Sequence, residues 1–80
     1  MTAARILVVD DEARVREGIS LGLRLSGYVV ETVASGPEAL TLLSATSYDL
    51  AVLDMQMPGM DGVTLMRRAH ESHPDVLIVI

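Results

Sequence analysis

Three aspartates stand where carboxylates can act together. Asp10 and Asp11, with Glu12 behind them, close the run Arg5-Ile6-Leu7-Val8-Val9, and Asp54 closes the run Leu50-Ala51-Val52-Leu53. Both runs are short, apolar and strand-like. If they lie side by side and parallel, their carboxylates meet at one edge of a sheet, with a lone aspartate facing an acidic pair. A pocket of that kind can hold a divalent cation with oxygen ligands and present a carboxylate oxygen to a phosphoryl group. Behind Asp54 comes Met55-Gln56-Met57-Pro58-Gly59-Met60-Asp61-Gly62, in which Pro58-Gly59 reads as a turn.

Plainer roles compete for each residue. Asp10 and Asp11 could simply cap a helix, since aspartate is favoured there. Their co-occurrence with Asp54 and the Pro-Gly turn weighs against that as their sole role. Met55, Met57, Met60 and Met66 read as gap-filling packers. His70 and His73 sit before Pro74 at a helix end, where the turn spoils a helical ligand pair, and read as solvated. Arg67 and Arg68 suit the negative end of a helix.

The elements that position the aspartates alternate. A strand over Arg5–Val9, apolar throughout, suits burial on both faces. A helix over roughly 12–26 follows, with Val15, Ile19, Gly22 and Leu23 on its apolar face and Leu21 and Leu25 widening it. Gly27 is placed to end that helix in the left-handed conformation. Tyr28–Val33 reads as the second strand. Ser35-Gly36-Pro37-Glu38 is a capping box with proline in the first turn, opening a helix to about Ala45 that buries Ala39, Leu40 and Leu43. Leu50–Leu53 is the third strand. Asp61 caps a third helix to about Glu71, with Val63, Met66 and Ala69 inward, and His73-Pro74 ends it. Val76–Ile80 is the fourth strand. Alternation of this kind implies right-handed crossovers and a parallel sheet with helices on both faces. In open sheets of this type ligands bind beyond the carboxyl ends of the strands at a topological switch point, which is where the three aspartates lie.

Composition narrows the functions. Eighty residues make one small domain of marginal stability, because chains of this size bury only about 60% of their unfolded surface. Half of the residues are hydrophobic, and with no Phe or Trp the core must be aliphatic. The net charge is −5 and every cation is Arg, an acidic balance that argues against nucleic-acid binding by these residues. There is no cysteine for a disulfide or a thiolate metal site. No apolar run approaches the roughly 18 residues of a membrane span, and the N-terminus lacks a signal-peptide layout, so the chain reads as cytoplasmic.

With Val8-Val9-Asp10-Asp11-Glu12, Asp54 and Met57-Pro58-Gly59-Met60-Asp61-Gly62 in place, the chain resembles the receiver domain of two-component response regulators. The resemblance runs along all 80 residues and about the first two-thirds of a receiver. It implies an α/β, flavodoxin-like doubly wound parallel sheet of strand order 2-1-3-4-5. The order βαβαβαβ here lacks the last helix-strand-helix. It also implies that Asp54 is the phosphoacceptor, and that Mg2+ is held by Asp10, Asp11, Asp54 and the backbone carbonyl of Gln56. The donor would be a histidine kinase or phosphotransfer protein, and the module would be a switch part and not an enzyme.

Two departures qualify these expectations. The family's pattern continues with Ser or Thr directly after the fourth strand, beyond Ile80, and with a Lys after a fifth strand, while this chain has no lysine. Phosphorylation is therefore expected to be impaired. Val76–Ile80 would be an apolar edge strand without charges, so self-association through it is expected. The alternative function is a non-signalling, self-associating structural or interaction fragment. An aspartyl-nucleophile phosphatase wants a second acid two residues after the nucleophile, where Gln56 stands. A dinucleotide-binding unit wants a glycine-rich loop after the first strand, which is missing.

Overall fold

The computed structural model describes residues 3–54 and 60–79. Seven elements alternate along them: β1 (Arg5–Val9), α1 (Ala13–Leu25), β2 (Val29–Val33), α2 (Gly36–Ala45), β3 (Leu50–Leu53), α3 (Gly62–Ser72) and β4 (Leu77–Val79). The four strands form one sheet in the order β2-β1-β3-β4, and every pairing is parallel. This is the flavodoxin-like order, with β1 in the interior. The continuous apolar run of β1 finds its reason here. Ile6, Leu7, Val8 and Val9 are all essentially inaccessible to water, because each face of β1 is covered.

Alternation along the strands sorts the core into two layers. Leu7 and Val9 face α2 and α3, joining Val33, Ala39, Leu43, Tyr48, Ala51, Leu53, Leu65 and Ala69. Ile6 and Val8 face α1 with Val30, packed by Ile19 and Leu23. Chain reversal between β1 and β3 puts α1 on one face and α2 with α3 on the other, as right-handed crossovers require.

The helix ends follow their sequences. Gly27 takes φ 97°. The Gly27 N–H reaches the Arg24 carbonyl at 3.0 Å and the Tyr28 N–H the Leu23 carbonyl at 3.2 Å, the bond pair of a Schellman ending. Ser35 Oγ accepts from the Glu38 N–H at 3.4 Å, and Asp61 Oδ1 accepts from the Thr64 N–H at 2.8 Å. Those Thr64 bonds hold the Asp61 carboxyl below the usual carboxylate range. At Gly36 a Cβ would come within 2.6 Å of Met60 Sδ and 3.1 Å of its Cβ, so the missing side chain is what lets Met60 pack across the start of α2.

Two helix faces differ from expectation. Leu21 and Leu25 do not widen the buried face of α1; they are 60% and 79% exposed. At about 100° per residue they lie some 200° and 240° round from Ile19, on the far side of the helix. On α3 the inward row is Leu65 and Ala69, spaced i, i+4, with Met66 beside it, while Val63 is exposed. The i, i+3 row through Val63 is thus exposed at its first position and leaves out the fully buried Leu65.

Among the described residues, one half of a sheet face is uncovered. Ile78 packs toward α3 and the larger core layer. Leu77 and Val79, in register with Leu50 and Val52, point to the α1 side and are exposed. The single helix on that side covers only β2 and β1.

The end of the sheet opposite the aspartates is tied by side chains. Arg5 Nη1 donates to Glu31 Oε1 at 2.7 Å, the buried Tyr48 hydroxyl donates to Glu31 Oε2 at 2.9 Å, and the Arg5 N–H donates to Asp49 Oδ2 at 2.8 Å. Burial, reinforced by the bond to Glu31 and its negative charge, pushes the Tyr48 phenol from 10.0 up to about 12. The folded state thus keeps a proton that the unfolded chain releases near pH 10. This contribution to stability is complete below that pH and is lost as the pH climbs through the folded value. Tyr48→Phe should therefore be less stable than the parent at neutral pH, and the gap in Tm should close between pH 10 and 12. Thermal melts of both proteins across that range check this; a gap that stays constant would remove Tyr48 as the cause.

Candidate functional site

Main-chain bonds fix where the aspartates stand. β1 and β3 pair with Val9 opposite Leu53, and the ladder runs one step further, with the Asp54 N–H donating to the Val9 carbonyl at 3.0 Å. On the other side the Asp10 N–H donates to the Val33 carbonyl at 3.2 Å. Asp10 is thus a last rung shared with β2, and Asp54 a last rung shared with β1. Both side chains emerge at the carboxyl edge of the sheet.

Asp10 is buried, Asp54 half-buried and Asp11 exposed. One carboxylate oxygen from each lies within 4.8 Å of the other two. Among the described residues this is the one group of three or more potential metal ligands; His70 and His73 join no such group. Val8, Val9, Ile19, Val52 and Leu53, together with Asp10 and Asp54 themselves, line a hollow of about 390 Å³.

The capping role weighed for the acidic pair is present in modified form. Glu12 occupies the N-cap position of α1 without a side-chain cap bond. Asp10 Oδ1 instead accepts from the Glu12 N–H at 2.9 Å, an Asx-type turn that bends the chain from β1 into α1. A carboxylate offers about four lone-pair sites, so one such bond does not exhaust Asp10.

The donor set fits Mg2+. The ligand atoms are hard carboxylate oxygens, which Mg2+ prefers, and oxygens on opposite sides of the ion at 2.0–2.1 Å stand about 4.2 Å apart. Adjacent oxygens in the same octahedron stand about 2.9 Å apart, so the three carboxylate oxygens, within 4.8 Å of one another, would draw closer on binding or reach the ion in part through the waters that Mg2+ keeps. Without a cation the same closeness is unfavourable, because like charges repel, with water at the more open Asp11 and Asp54 screening part of that repulsion. Gln56, whose carbonyl was expected to complete the ligands, lies outside the described residues, as does the Pro58-Gly59 turn.

One contact was not anticipated. Arg16, on the second turn of α1, turns back and donates from Nη1 to the Asp10 carbonyl oxygen at 2.8 Å. The signal available in the sequence was only its spacing from Asp10, which puts it on the side of α1 nearest the β1 terminus.

Comparison with known proteins agrees with this geometry. Residues 6–80 match the family model described as the response regulator receiver domain. Response regulator MprA of Mycolicibacterium vanbaalenii is 41% identical over 76 residues, which are 95% of this chain and 33% of that protein. Response regulator TrrA of Thermotoga maritima, solved in complex with Mg2+–BeF, superposes with a TM-score of 0.90 at 39% identity, over 94% of this chain and 65% of that one. TrrA solved in complex with the histidine kinase ThkA gives a TM-score of 0.88 at the same 39% identity. The chain therefore spans about a third of the length of the curated relative and about two-thirds of the solved receiver. The match to the model runs over residues 6–80, and the fold, the strand order and the acidic edge agree with it: this chain belongs to the response regulator receiver-domain family.

Proposed function

We propose that the chain is a phosphoacceptor module of a two-component response regulator, taking a phosphoryl group onto Asp54 from a histidine kinase or phosphotransfer protein, in the cytoplasm and with Mg2+. The observation that carries this reading is the gathering of carboxylate oxygens from Asp10, Asp11 and Asp54 within 4.8 Å at the carboxyl edge of β1 and β3. Two complexes of one relative support it: TrrA with Mg2+–BeF, and TrrA with the histidine kinase ThkA.

The roles follow from position. From that edge Asp10, Asp11 and Asp54 would hold the metal, with the carbonyl of Gln56, which lies outside the described residues, as the further ligand that the resemblance implies. Bound Mg2+ supplies the positive charge that offsets repulsion between the Asp54 carboxylate and an incoming anion. An Asp54 oxygen attacks phosphorus in line, a carboxylate O–P bond forms, and the P–N bond to the donor imidazole breaks, its electron pair staying on the ring nitrogen, which takes a proton from solvent. The Asp54 N–H bond to Val9 holds the nucleophile in register while this happens. These 80 residues carry no lysine, and a cationic donor on the transferring oxygens is worth a large part of such a barrier, so slow transfer is expected of this 80-residue stretch when tested by itself.

A second reading rests on the bare sheet. Among the described residues β4 is an edge of the sheet, and Leu77 and Val79 expose apolar surface on it. No charge interrupts 76–79. A second copy of the chain is the occupant that satisfies both needs, by pairing edge to edge and covering the apolar face.

Asp54→Asn keeps the shape and removes one of three mutually repelling charges. In EDTA it should stabilise the fold by on the order of 1 kcal/mol in denaturant melts, as expected for one like-charge contact near a wet surface. A less stable variant would mean that the carboxylates do not burden one another.

Incubation with acetyl phosphate and Mg2+, read by intact mass, should add one phosphoryl group slowly and incompletely. The addition should vanish in Asp54→Asn and in EDTA. Modification that survives the substitution would move the acceptor elsewhere, and rapid stoichiometric transfer would show that lysine is dispensable.

Leu77→Lys places a charge on the exposed side of β4 and should shift the chain from dimer or larger toward monomer in sedimentation across a wide concentration range. A parent protein that stays monomeric at high concentration would contradict edge pairing.

A further inference from the structure

We infer that Arg16 is a positioning residue of the acidic site, setting its metal affinity through the main chain of Asp10. This deepens the phosphoacceptor reading and rests on its metal site.

Asp10 is held at three atoms. Its N–H donates to the Val33 carbonyl at 3.2 Å, its Oδ1 accepts from the Glu12 N–H at 2.9 Å, and its carbonyl accepts from Arg16 Nη1 at 2.8 Å. The first bond belongs to the sheet and the second to the turn. The third is the one that ties this residue to a helical side chain. It reaches back six residues, across the turn that contains Asp11 and Glu12. A guanidinium bonded to a carbonyl is a charge-assisted contact, stronger than a neutral one. Arg16 is only half-exposed, so its stem is packed and its head is constrained.

The direction of the effect separates positioning from simple charge. Arg16 carries +1 beside three carboxylates. By Coulomb's law alone, deleting it should tighten the binding of a dication. If Arg16 instead fixes the β1–α1 turn, deleting it frees the Asp10 peptide and leaves its carbonyl, in a residue 9% exposed, without its cationic donor. Metal binding must then re-order the turn, and affinity falls. Groups that orient ligands typically act by 10–100-fold on metal affinity. Positioning and charge oppose each other here, so the expected net loss is at the lower end, about tenfold.

The test is calorimetric titration of Mg2+ into the folded 80-residue chain, with Arg16→Met and Arg16→Gln compared against the parent and Arg14→Met. Arg14 is an exposed arginine of the same helix, so its loss reports the charge effect alone. Sucrose, which favours the compact state, keeps a weakened variant folded during the titration. Both Arg16 variants should bind Mg2+ about tenfold more weakly, while Arg14→Met binds as tightly as the parent or slightly more so. Unchanged or tighter binding in the folded Arg16 variants would overturn the positioning role while leaving the metal site intact. A parent protein that takes up no Mg2+ would instead overturn the site itself, and with it the role of Arg16.

Discussion

Everything at the functional edge depends on the parallel pairing of β1 with β3. Val9 stands opposite Leu53, and the ladder continues to the Asp54 N–H on the Val9 carbonyl. Shifting that register by one residue would turn Leu53 and Ala51 out of the core and move Asp54 away from Asp10. The apolar alternation of both strands resists such a shift, since Ala51 and Leu53 are both buried against α2 and α3. Core packing and site geometry are therefore one constraint: the same residues that exclude water hold three like charges together.

That arrangement carries an electrostatic cost that the fold distributes. Asp10 is buried, and its bonds to Val33, Glu12 and Arg16 give it partners that do not depend on a metal. Asp54 and Asp11 are more open to water, which screens their charge. At the opposite end of the strands, Arg5, Glu31, Tyr48 and Asp49 satisfy one another. One end of the sheet is thus closed by hydrogen bonds. The other is left with carboxylates that a dication would stabilise, as expected where strained or repulsive groups serve a function.

The alternation of elements, their bounds and the acidic edge were legible because each had a local cause. Gly27 was the residue for a left-handed ending, Ser35 and Asp61 were caps, and the run Arg5–Val9 was apolar without break. The carboxylates could be placed because they end strands, and strand ends in a parallel sheet share an edge. Less legible were features that depend on which neighbour arrives. Leu21 and Leu25 looked like core but face solvent, because one helix covers only half of its sheet face and meets it through Ile19 and Leu23. Leu65 was hidden by a competing i, i+3 row through Val63. Arg16 gave no local signal, since a hydrogen bond from a side chain to a distant carbonyl leaves no periodic trace. The close fit of Met60 over Gly36 was likewise a tertiary fact, invisible until α2 and the approach to α3 were side by side.

The proposed divalent-ion site has a definite location, between Asp10, Asp11 and Asp54. Mn2+ offers a direct reading, because it accepts the same oxygen ligands as Mg2+ and broadens nearby amide resonances steeply with distance. Substoichiometric Mn2+ added to isotope-labelled protein should broaden the Asp10, Asp11, Asp54 and Val9 amides first. The Arg5, Val29 and Asp49 amides, at the far end of strands about 16 Å long, should stay sharp, and excess Mg2+ should restore the lost signals. Broadening centred on Arg5 and Asp49, or spread evenly over the acidic surface, would contradict the site.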